Sequence, residues 1–281
     1  MPRKLPAPSV PKHLAIAVTF HFAEARLRYL GMISDHFASL ADRVTVFIVT
    51  NVRDADRVAK IEGTIGGKGF DFNFFAPQGL GHPFLLTWSH FGVFHKLMRD
   101  ESVSHFLYLE DDILLRRESM EYWMQGRELL RETSFYPSFL RVEQKADSER
   151  WYSSDCIGRM DAAALPSVKF GNELWFLSLP RPYQGMYLHD RAQMQEHLFG
   201  KSSVPQGHPL GWGIREHAAT GLSVWNVPEG FYGRNLLAYW PEDGGLDIRA
   251  FIHHTPNNYA QSDDPKQPFG TVPVDQLLQQ P

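Results

Sequence analysis

The sequence predicts an α/β fold in which a central, mostly parallel mixed sheet is flanked by helices. In the first half of the 281-residue chain, short apolar runs alternate with segments of helical periodicity. One apolar run ends directly in three carboxylates, as a buried strand does when it carries acidic groups to a sheet edge. A hydrophobic share of 43% and a charged share of 21% suffice for one large α/β domain or two small ones.

The elements of the first half follow one another in a strand-helix order. Apolar runs predict buried strands over residues 14–20, 44–52, 70–75 and 106–109. Helical spacing predicts connecting helices over residues 23–41, 54–62 and 84–99. Pro83 stands where the last of these helices begins, a position at which its missing N–H costs nothing. Strands that alternate with helices in this way predict a parallel sheet.

The second half predicts a more mixed arrangement. Helices are predicted over residues 118–132 and 192–198, and the stretch 139–143 between them is predicted to be loop-rich. Residues 1–13 form a proline-rich segment, and residues 14–260 are predicted to form one domain with halves at 14–115 and 116–260. Residues 261–281 are predicted to be an extended or poorly ordered tail, because the chain is polar and broken by prolines from Pro265 onward.

Composition narrows the class of protein. A net charge of -4, from 28 basic and 32 acidic residues, argues against a broad surface for nucleic acid or anionic lipid. The single cysteine, Cys156, excludes an internal disulfide framework and fits a reducing compartment. No apolar run approaches the ~20 residues that span a bilayer, and residues 1–11 do not resemble a secretory signal. A cytoplasmic location without a transmembrane segment is expected, and peripheral contact with the inner membrane is left open.

Glu110, Asp111 and Asp112 follow the predicted strand 106–109 and form the most informative group in the sequence. Carboxylates this close repel one another and tend to take up protons unless a cation offsets their charge. The position therefore predicts a divalent metal site at a strand end. The alternative is a solvated acidic turn that Arg116 and Arg117 neutralise.

Three short segments occur in order along residues 14–259. They are Tyr108-Leu109-Glu110-Asp111-Asp112, Gly211-Trp212-Gly213-Ile214-Arg215-Glu216 and Phe251-Ile252-His253-His254. Together they resemble the GT-A glycosyltransferases, nucleotide-sugar enzymes with a Rossmann-like fold, an acidic D-x-D-type motif, a catalytic base in a Gly-Trp-Gly-x-x-acid segment and a late metal-binding histidine. Arg215 and His217 depart from the consecutive acids of several inverting relatives, which leaves Glu216 as the only carboxylate there.

The resemblance implies a donor site with a bound ion. Asp112 would bind the ion, and Glu110 or Asp111 would hold the ribose or the donor sugar. Oxygen ligands favour Mn²⁺ or Mg²⁺, and an imidazole ligand shifts the preference toward Mn²⁺. His253 and His254 are adjacent on a predicted strand and point to opposite faces, so at most one is expected to reach the metal. Alternatively, the two histidines only satisfy backbone groups.

The resemblance also implies sites for the nucleotide, the acceptor and the base. The nucleotide contacts it implies are Thr19, Phe20, His21, Asn51, Arg53 and His82. The acceptor contacts it implies are Tyr183 and Trp212, although these aromatic residues could equally be structural. Glu216 is the candidate base for the acceptor hydroxyl. Alternatively, Glu216 is an exposed acid in the first turn of a helix that begins near Ile214.

The leading hypothesis is a metal-dependent glycosyltransferase that moves a sugar from a nucleoside diphosphate sugar, UDP being the nucleotide that the resemblance favours, to a glycan or glycoconjugate hydroxyl with inversion. The 13 histidines beside the acids suggest a second class, a metal-dependent hydrolase or phosphoesterase. A third class is a catalytically inactive carbohydrate-binding module. Retention of anomeric configuration is also left open.

Overall fold

The computed structural model describes residues 5–242 and 244–279. In chain order, the strands are β1 His13–Phe20, β2 Arg43–Thr50, β3 Asp71–Phe75, β4 His105–Glu110, β5 Ile113–Leu114, β6 Tyr136–Pro137, β7 Leu140–Gln144, β8 Trp151–Ser153, β9 Met160–Asp161, β10 Ser167–Phe170, β11 Leu174–Leu177, β12 Met186–Asp190, β13 Asn235–Trp240, β14 Gly245–Leu246, β15 Phe251–His254 and β16 Leu278–Gln279. The α-helices are α1 Leu27–Ser34, α2 Ala55–Ile65, α3 His90–Leu97, α4 Arg117–Leu130, α5 Arg191–Phe199 and α6 Ile214–Ala218. Short 3-10 helices occupy Glu24–Arg26, Phe37–Ser39, Pro83–Trp88, Lys201–Ser203, Ile248–Ala250 and Val274–Gln276.

The described chain divides into two compact units. The parallel-sheet unit comprises Val10–Arg117 and Gly185–Trp225. The mixed-sheet unit comprises Glu118–Gln184 and the described residues from Asn226 onward, together with residues 5–9. Within the ranges 5–242 and 244–279, no helix is both long enough and apolar enough to cross a membrane.

The parallel-sheet unit contains a five-stranded sheet in the order β12-β4-β1-β2-β3. β1 pairs in parallel with β2 and β4, β2 pairs in parallel with β3, and only β12 runs antiparallel, against β4. All eight residues of β1 are buried, as expected of a central parallel strand that is covered on both faces. Helices α3 and α5 pack on this sheet. These observations confirm the predicted fold class, an α/β fold with a mostly parallel mixed sheet.

Two of the predicted helices are interrupted. The predicted helix 23–41 consists of two 3-10 turns on either side of α1, and the predicted helix 84–99 begins with the 3-10 helix Pro83–Trp88 before α3. At the end of α1, the Ser34 hydroxyl and the Lys68 ammonium group both donate to the carbonyl oxygen of Gly31, at 2.9 and 2.8 Å. Side chains that bond to helix carbonyls in this way compete with the regular helical hydrogen bonds.

The mixed-sheet unit combines antiparallel and parallel pairs. β10, β11, β13 and β14 form an antiparallel sheet, and β6 joins β13 in parallel. β7 pairs in parallel with β15 and antiparallel with β8. The prediction that 139–143 is loop-rich is therefore wrong. The sequence does not reveal that β7 is buried on both faces, because the charged residues Arg141 and Glu143 are buried like their apolar neighbours.

The predicted extended tail is also structured over the described residues. The 3-10 helix Val274–Gln276 leads into β16, which pairs in parallel with β9. Leu277 is fully buried, and Leu278 packs against Ala162, Leu177 and Tyr239. The scattered prolines and polar residues obscured these few apolar side chains, which are enough to anchor the segment.

Candidate functional site

The predicted donor residues lie at the carboxyl edge of the parallel sheet. In the register of the sheet, Thr19 of β1 is opposite Glu110 of β4, and Phe20 is opposite Thr50 of β2. The residues that follow these strands therefore emerge at the same edge, with the end of β1 between the ends of the other two. Open parallel sheets bind their ligands at this edge.

A cavity of about 350 Å³ lies beyond the ends of β1 and β2. It is lined by His21, Asn51, Leu80, Gly81, His82, Pro83 and Leu86. Its volume is within the range of small-molecule sites, and it combines apolar walls with a few polar groups, which is the usual composition of such a site. The cavity brings together His21, Asn51 and His82, three of the predicted nucleotide contacts.

Local hydrogen bonds orient the polar residues of the cavity. The Asn51 Oδ1 atom accepts a hydrogen bond from the Phe22 backbone N–H at 2.9 Å, and its Nδ2 atom lies 3.4 Å from His21 Nε2. The His82 Nδ1 atom accepts from the Phe84 N–H at 3.2 Å, so a neutral His82 carries its proton on Nε2. Gly81 has a φ of 70°, a conformation in the left-handed region that glycine adopts without strain.

The acid pair beyond β4 is held by an internal cation. Asp111 and Asp112 are only 5% and 6% exposed. Arg26 donates from Nε to Asp111 at 2.7 Å, and one terminal nitrogen of its guanidinium group donates to both Asp111 and Asp112, the latter at 2.8 Å. Burial raises the pKa of Asp111 above its usual value, and the hydrogen bonds from Arg26 oppose that rise. The same ion pair raises the pKa of the Arg26 guanidinium.

The remaining acid, Glu110, is the last residue of β4 and lies next to Gly185. Its backbone N–H donates to the carbonyl oxygen of Gly185 at 3.1 Å. Gly185 has a φ of 67°, and a Cβ atom there would lie 3.0 Å from a carboxylate oxygen of Glu110. The absence of a side chain at position 185 therefore makes room for the Glu110 carboxylate.

Glu216, the predicted base, lies in the first turn of α6. A Cβ atom on Gly213 would be 2.6 Å from one of its carboxylate oxygens, so this carboxylate folds back over the start of its own helix. It lies 3.6 Å from the Arg215 guanidinium group and is 42% exposed. This is also the position that a helix-stabilising first-turn acid takes, so the structure is compatible with both predictions for Glu216.

Helix α6 is attached to the segment that follows the cavity loop. The Trp88 indole N–H donates to the Ile214 carbonyl oxygen at 2.8 Å, and the Arg215 guanidinium lies 4.7 Å from the centre of the Phe84 ring. Phe84 and Trp88 belong to the 3-10 helix that begins at Pro83, a residue of the cavity wall. The region of Glu216 and the cavity are thus connected through a single short helix.

The other predicted contacts of the parallel-sheet unit lie outside the cavity lining. Thr19 and Phe20 are buried within β1, Phe20 completely. Arg53 donates to the carbonyl oxygens of Ala76 and Pro77, and so ties down the chain after β3. Trp212 stacks on His208, with ring centres 5.1 Å apart.

The remaining predicted residues belong to the mixed-sheet unit. His253 and His254 lie in β15, the former half-buried and the latter buried, as expected for neighbours on opposite faces of a strand. The His254 Nδ1 atom donates to Glu143, and His253 Nε2 lies 2.8 Å from the Asn257 amide oxygen. Tyr183 lies beneath the Arg141 guanidinium group, 4.9 Å from ring centre to carbon. Whether these residues share an ion or a substrate with Asp112 stays a prediction.

Sequence reasoning missed Arg26, the residue in closest contact with the acid pair. Arg26 is 85 positions away from Asp111 in the sequence. It falls inside the predicted helix 23–41, where an arginine is expected to be an exposed surface residue. It also missed Leu80 and Leu86 of the cavity wall. The Gly79-Leu80-Gly81-His82 turn could have indicated Leu80, but only His82 was selected from it.

Across residues 5–242 and 244–279, no group of three or more histidine, cysteine or carboxylate side chains is arranged to hold a metal ion. The acid pair therefore offers two ligands and not a complete protein cage. Mg²⁺ is commonly bound by one or two carboxylates, with substrate phosphates and water completing its coordination. The Asp111 and Asp112 carboxylates are occupied by the Arg26 guanidinium group in this structure.

No protein-family model and no curated protein matches the chain. Among solved structures, the galactosyltransferase LgtC, in complex with donor and acceptor sugar analogs, is similar with a TM-score of 0.36 and 16% identity. That similarity covers 74% of this chain and 70% of LgtC, and it is too distant to bear on the function of this chain.

Proposed function

We propose that the protein is a glycosyltransferase that moves a sugar from a nucleoside diphosphate sugar to a hydroxyl group of a glycan or glycoconjugate, with inversion. The observation that carries the proposal is the side-by-side placement of a cavity and a buried acid pair at neighbouring strand ends of one parallel sheet. The order of motifs that resembles GT-A enzymes supports it.

The spacing of the sheet suits a nucleoside diphosphate. Asn51 follows β2, and Asp111 follows β4, with β1 between them. Two strand spacings correspond to about 10 Å, which is roughly the reach from a base to the second phosphate. The nucleoside would occupy the cavity beside His21, Asn51 and His82, and the diphosphate would extend past the end of β1 toward the acid pair. UDP is proposed as the nucleotide because of the resemblance.

A divalent ion, Mn²⁺ or Mg²⁺, is part of this proposal. Asp112 and Asp111 would hold it, and when bound it would stabilise the negative charge that grows on the departing diphosphate. The chemistry of the donor set favours such an ion, because carboxylate oxygens are hard ligands. A histidine ligand from His253 or His254 remains a prediction.

Glu216 is proposed as the base. As the acceptor oxygen forms its bond to the anomeric carbon, the hydroxyl proton would pass to the Glu216 carboxylate, and the bonding electrons of the broken bond would leave with the diphosphate. The 42% exposure of this side chain leaves it accessible to an acceptor from solvent.

Donor binding tests the first part of the proposal. Calorimetric titration with UDP and with uridine, with and without Mn²⁺, should show binding of both, with a gain for UDP that depends on Mn²⁺. His21→Ala removes a cavity residue and should weaken uridine binding, whereas the exposed His95→Ala should not. If neither UDP nor GDP, ADP or CDP binds, with or without Mn²⁺, the proposal is wrong.

Turnover tests the second part. With a panel of nucleotide sugars and acceptors, Glu216→Gln should lose transfer and keep donor binding, and Glu101→Gln, an exposed acid of the same unit, should leave both unchanged. Proton NMR of the first product would report inversion or retention. Release of free sugar at the same rate with and without any acceptor would instead favour a hydrolase.

A further inference from the structure

The loop that precedes α6 is closed by one of its own residues, His208. The His208 Nδ1 atom accepts hydrogen bonds from the backbone N–H groups of Leu210, at 3.2 Å, and Trp212, at 3.4 Å. The His208 carbonyl oxygen accepts a third, from the Gly211 N–H at 2.9 Å. Three consecutive backbone N–H groups of the loop are therefore bonded to a single residue.

These hydrogen bonds determine the protonation state of the His208 ring. Because Nδ1 accepts from backbone N–H groups, a neutral His208 carries its proton on Nε2. The Nε2 atom is buried and has no hydrogen-bond partner among the described residues. A second proton, on Nδ1, would point a donor at the N–H groups of Leu210 and Trp212. The closed loop therefore requires a neutral His208.

The surroundings of His208 also oppose a positive charge on its ring. The residue is 9% exposed, and its ring stacks on that of Trp212. The titratable group that faces it is His217 of α6, with ring centres 4.5 Å apart. The charged residues of α6, Arg215 and Glu216, pair with each other at 3.6 Å. Burial and the neighbouring His217 lower the pKa of His208 to about 4.

The closed loop leads directly into the first turn of α6. The Gly213 carbonyl oxygen accepts from the His217 N–H at 2.9 Å, and this bond begins the helix. A Cβ atom on Gly213 would lie 2.6 Å from a Glu216 carboxylate oxygen, so this carboxylate lies against the end of the loop. The loop conformation therefore fixes the positions of Trp212 and Glu216, the proposed acceptor contact and the proposed base.

We propose that His208 is a positioning residue, which holds Trp212 and Glu216 in place while its ring is neutral and releases them in acid. When His208 is protonated, Nδ1 becomes a donor, its two bonds with the backbone break, and the loop opens. The first turn of α6 then loses the segment on which it begins. The proposal rests on the proposed function for the roles of Trp212 and Glu216, whereas the closing of the loop concerns the protein alone.

Hydrogen exchange of the Leu210 and Trp212 amides, followed by NMR and corrected for the intrinsic rate at each pH, tests the loop. In the wild type, exchange should rise about twentyfold between pH 7 and pH 5, because the pKa of His208 is about 4 in the closed loop and about 6.5 in an open one. His208→Asn supplies an amide oxygen that accepts from the same N–H groups and does not titrate. This variant should stay closed at pH 7 and lose most of the rise. His95→Gln, which removes an exposed histidine, should behave like the wild type.

A second variant separates hydrogen bonding from packing. His208→Phe keeps a ring beside Trp212 and His217 but accepts no hydrogen bond, so exchange of the two amides at pH 7 should increase at least about tenfold. In transfer assays it should bind UDP like the wild type and lose at least about tenfold in kcat/KM for the acceptor, as expected if the loop positions acceptor contacts and the base. His208→Asn should restore most of this loss, which a role in packing alone does not predict.

Two results would overturn the closing of the loop by His208. One is a rise of exchange in acid that is the same in His208→Asn as in the wild type. The other is a folded His208→Phe variant that exchanges both amides at the wild-type rate. If His208→Phe does not fold, the comparison of His208→Asn with the wild type decides.

The role of His208 and the proposed function fail in different ways. If no nucleoside diphosphate binds but exchange follows the expected pattern, the loop closure by His208 stands and the proposed function is wrong. If UDP binds and sugar is transferred, but His208→Phe has the wild-type kcat/KM, His208 is not a positioning residue and the proposed function stands.

Discussion

Apart from the acid pair and Arg26, the two units of this protein bury titratable side chains in different ways. The parallel-sheet unit contains a histidine cluster, which consists of the buried residues His90, His189, His197, His208 and His217. The mixed-sheet unit instead buries charged side chains with charged partners, such as Arg141 with Asp155 and His254 with Glu143. Buried neutral rings avoid the cost of desolvating a charge, whereas ion pairs offset that cost with mutual attraction.

The histidine cluster is packed among aromatic rings. The His90 ring centre lies 4.3 Å from that of Tyr108, His197 lies 4.8 Å from Tyr187, and His208 lies 4.5 Å from His217. Burial lowers the pKa of His90 to about 3 and that of His208 to about 4, and it also lowers the pKa of His217. The pKa of His197 falls well below its usual value through burial and through repulsion from neighbouring histidines. The rings of His90, His197, His208 and His217 are therefore mainly neutral at pH 7.

The buried charges of the mixed-sheet unit depend on specific partners. Arg141 donates to Asp155 from Nε at 3.0 Å and from a terminal nitrogen at 2.6 Å. Glu143 is fully buried and accepts hydrogen bonds from His254 and from the backbone N–H groups of Tyr259 and Ala260. The two units should therefore lose stability for different reasons. Protonation of buried histidines should destabilise the parallel-sheet unit, and removal of one member of a buried ion pair should destabilise the mixed-sheet unit.

Acidification should cause the largest effect, a loss of stability in the parallel-sheet unit. The folded-state pKa of each cluster histidine with a resolved shift lies below the unfolded value of 6.5, so the unfolded chain binds more protons below pH 6.5. The free energy of unfolding is thus not reduced by these histidines above pH 6.5, and it falls as the pH decreases below 6.5. His90 should account for about 2 kcal/mol of the loss between pH 7 and pH 5, and His197, His208 and His217 should add to this loss. Urea unfolding at pH 7, 6 and 5 measures this loss.

A pair of variants on one helix attributes that loss to the cluster. His90→Phe removes one buried titratable ring from α3 and should reduce the loss between pH 7 and pH 5 by about 2 kcal/mol. His95→Gln removes an exposed histidine from the same helix and should leave the pH dependence as it is. An unchanged pH dependence in His90→Phe would show that the cluster does not control acid stability.

Removal of a partner should have the next largest effect, in the mixed-sheet unit. Asp155→Ala leaves the buried Arg141 guanidinium without its two-point carboxylate contact and should lower the free energy of unfolding by about 3–5 kcal/mol. Asp275→Ala breaks an exposed ion pair with Arg150 and should cost less than about 1 kcal/mol. Urea unfolding at pH 7 compares the two variants. Similar losses in both variants would mean that burial does not determine how much an ion pair contributes to the free energy of unfolding.

The same difference explains why sequence reasoning found the strands of the parallel sheet but missed β7. The parallel strands were predictable because β1 and β4 are largely continuous apolar runs, a pattern that can be recognised without knowing which strands they pair with. In β7, by contrast, Arg141 and Glu143 interrupt the apolar residues, and their partners Asp155 and His254 are invisible in the local pattern. A strand whose charges are paired at long range looks like a polar loop.

The residues of the candidate site also differ in whether the local sequence predicts them. The acid triplet was predictable because it directly follows an apolar strand in the sequence. The cavity residues His21 and Asn51 were predictable because they lie at the ends of predicted strands. Arg26 was not predictable because its contact with Asp111 depends on how the chain folds across 85 positions. Long-range pairing of polar side chains is therefore the part of this protein that pattern reasoning does not reach.

Glycine substitutions extend the comparison to the space around single helices. In α4 of the mixed-sheet unit, a Cβ atom on Gly126 would lie 2.6 Å from the Cγ atom of Pro137 and 3.2 Å from the Phe176 ring. A proline ring cannot rotate away, so Gly126→Ala should lower the free energy of unfolding by about 1–3 kcal/mol. Urea unfolding measures this loss, and a variant as stable as the wild type would show that β6 shifts freely against α4.

The smallest effect is expected from the corresponding change in the parallel-sheet unit. Gly63 lies within α2, is exposed, and has no atom within 4 Å of the position that a Cβ atom would take. Gly63→Ala therefore gains helix propensity without a clash and should raise the free energy of unfolding by about 0.5–1 kcal/mol. Thermal and urea unfolding of the two alanine variants should move in opposite directions from the wild type. A loss of stability in Gly63→Ala would mean that α2 requires the glycine for a reason other than space.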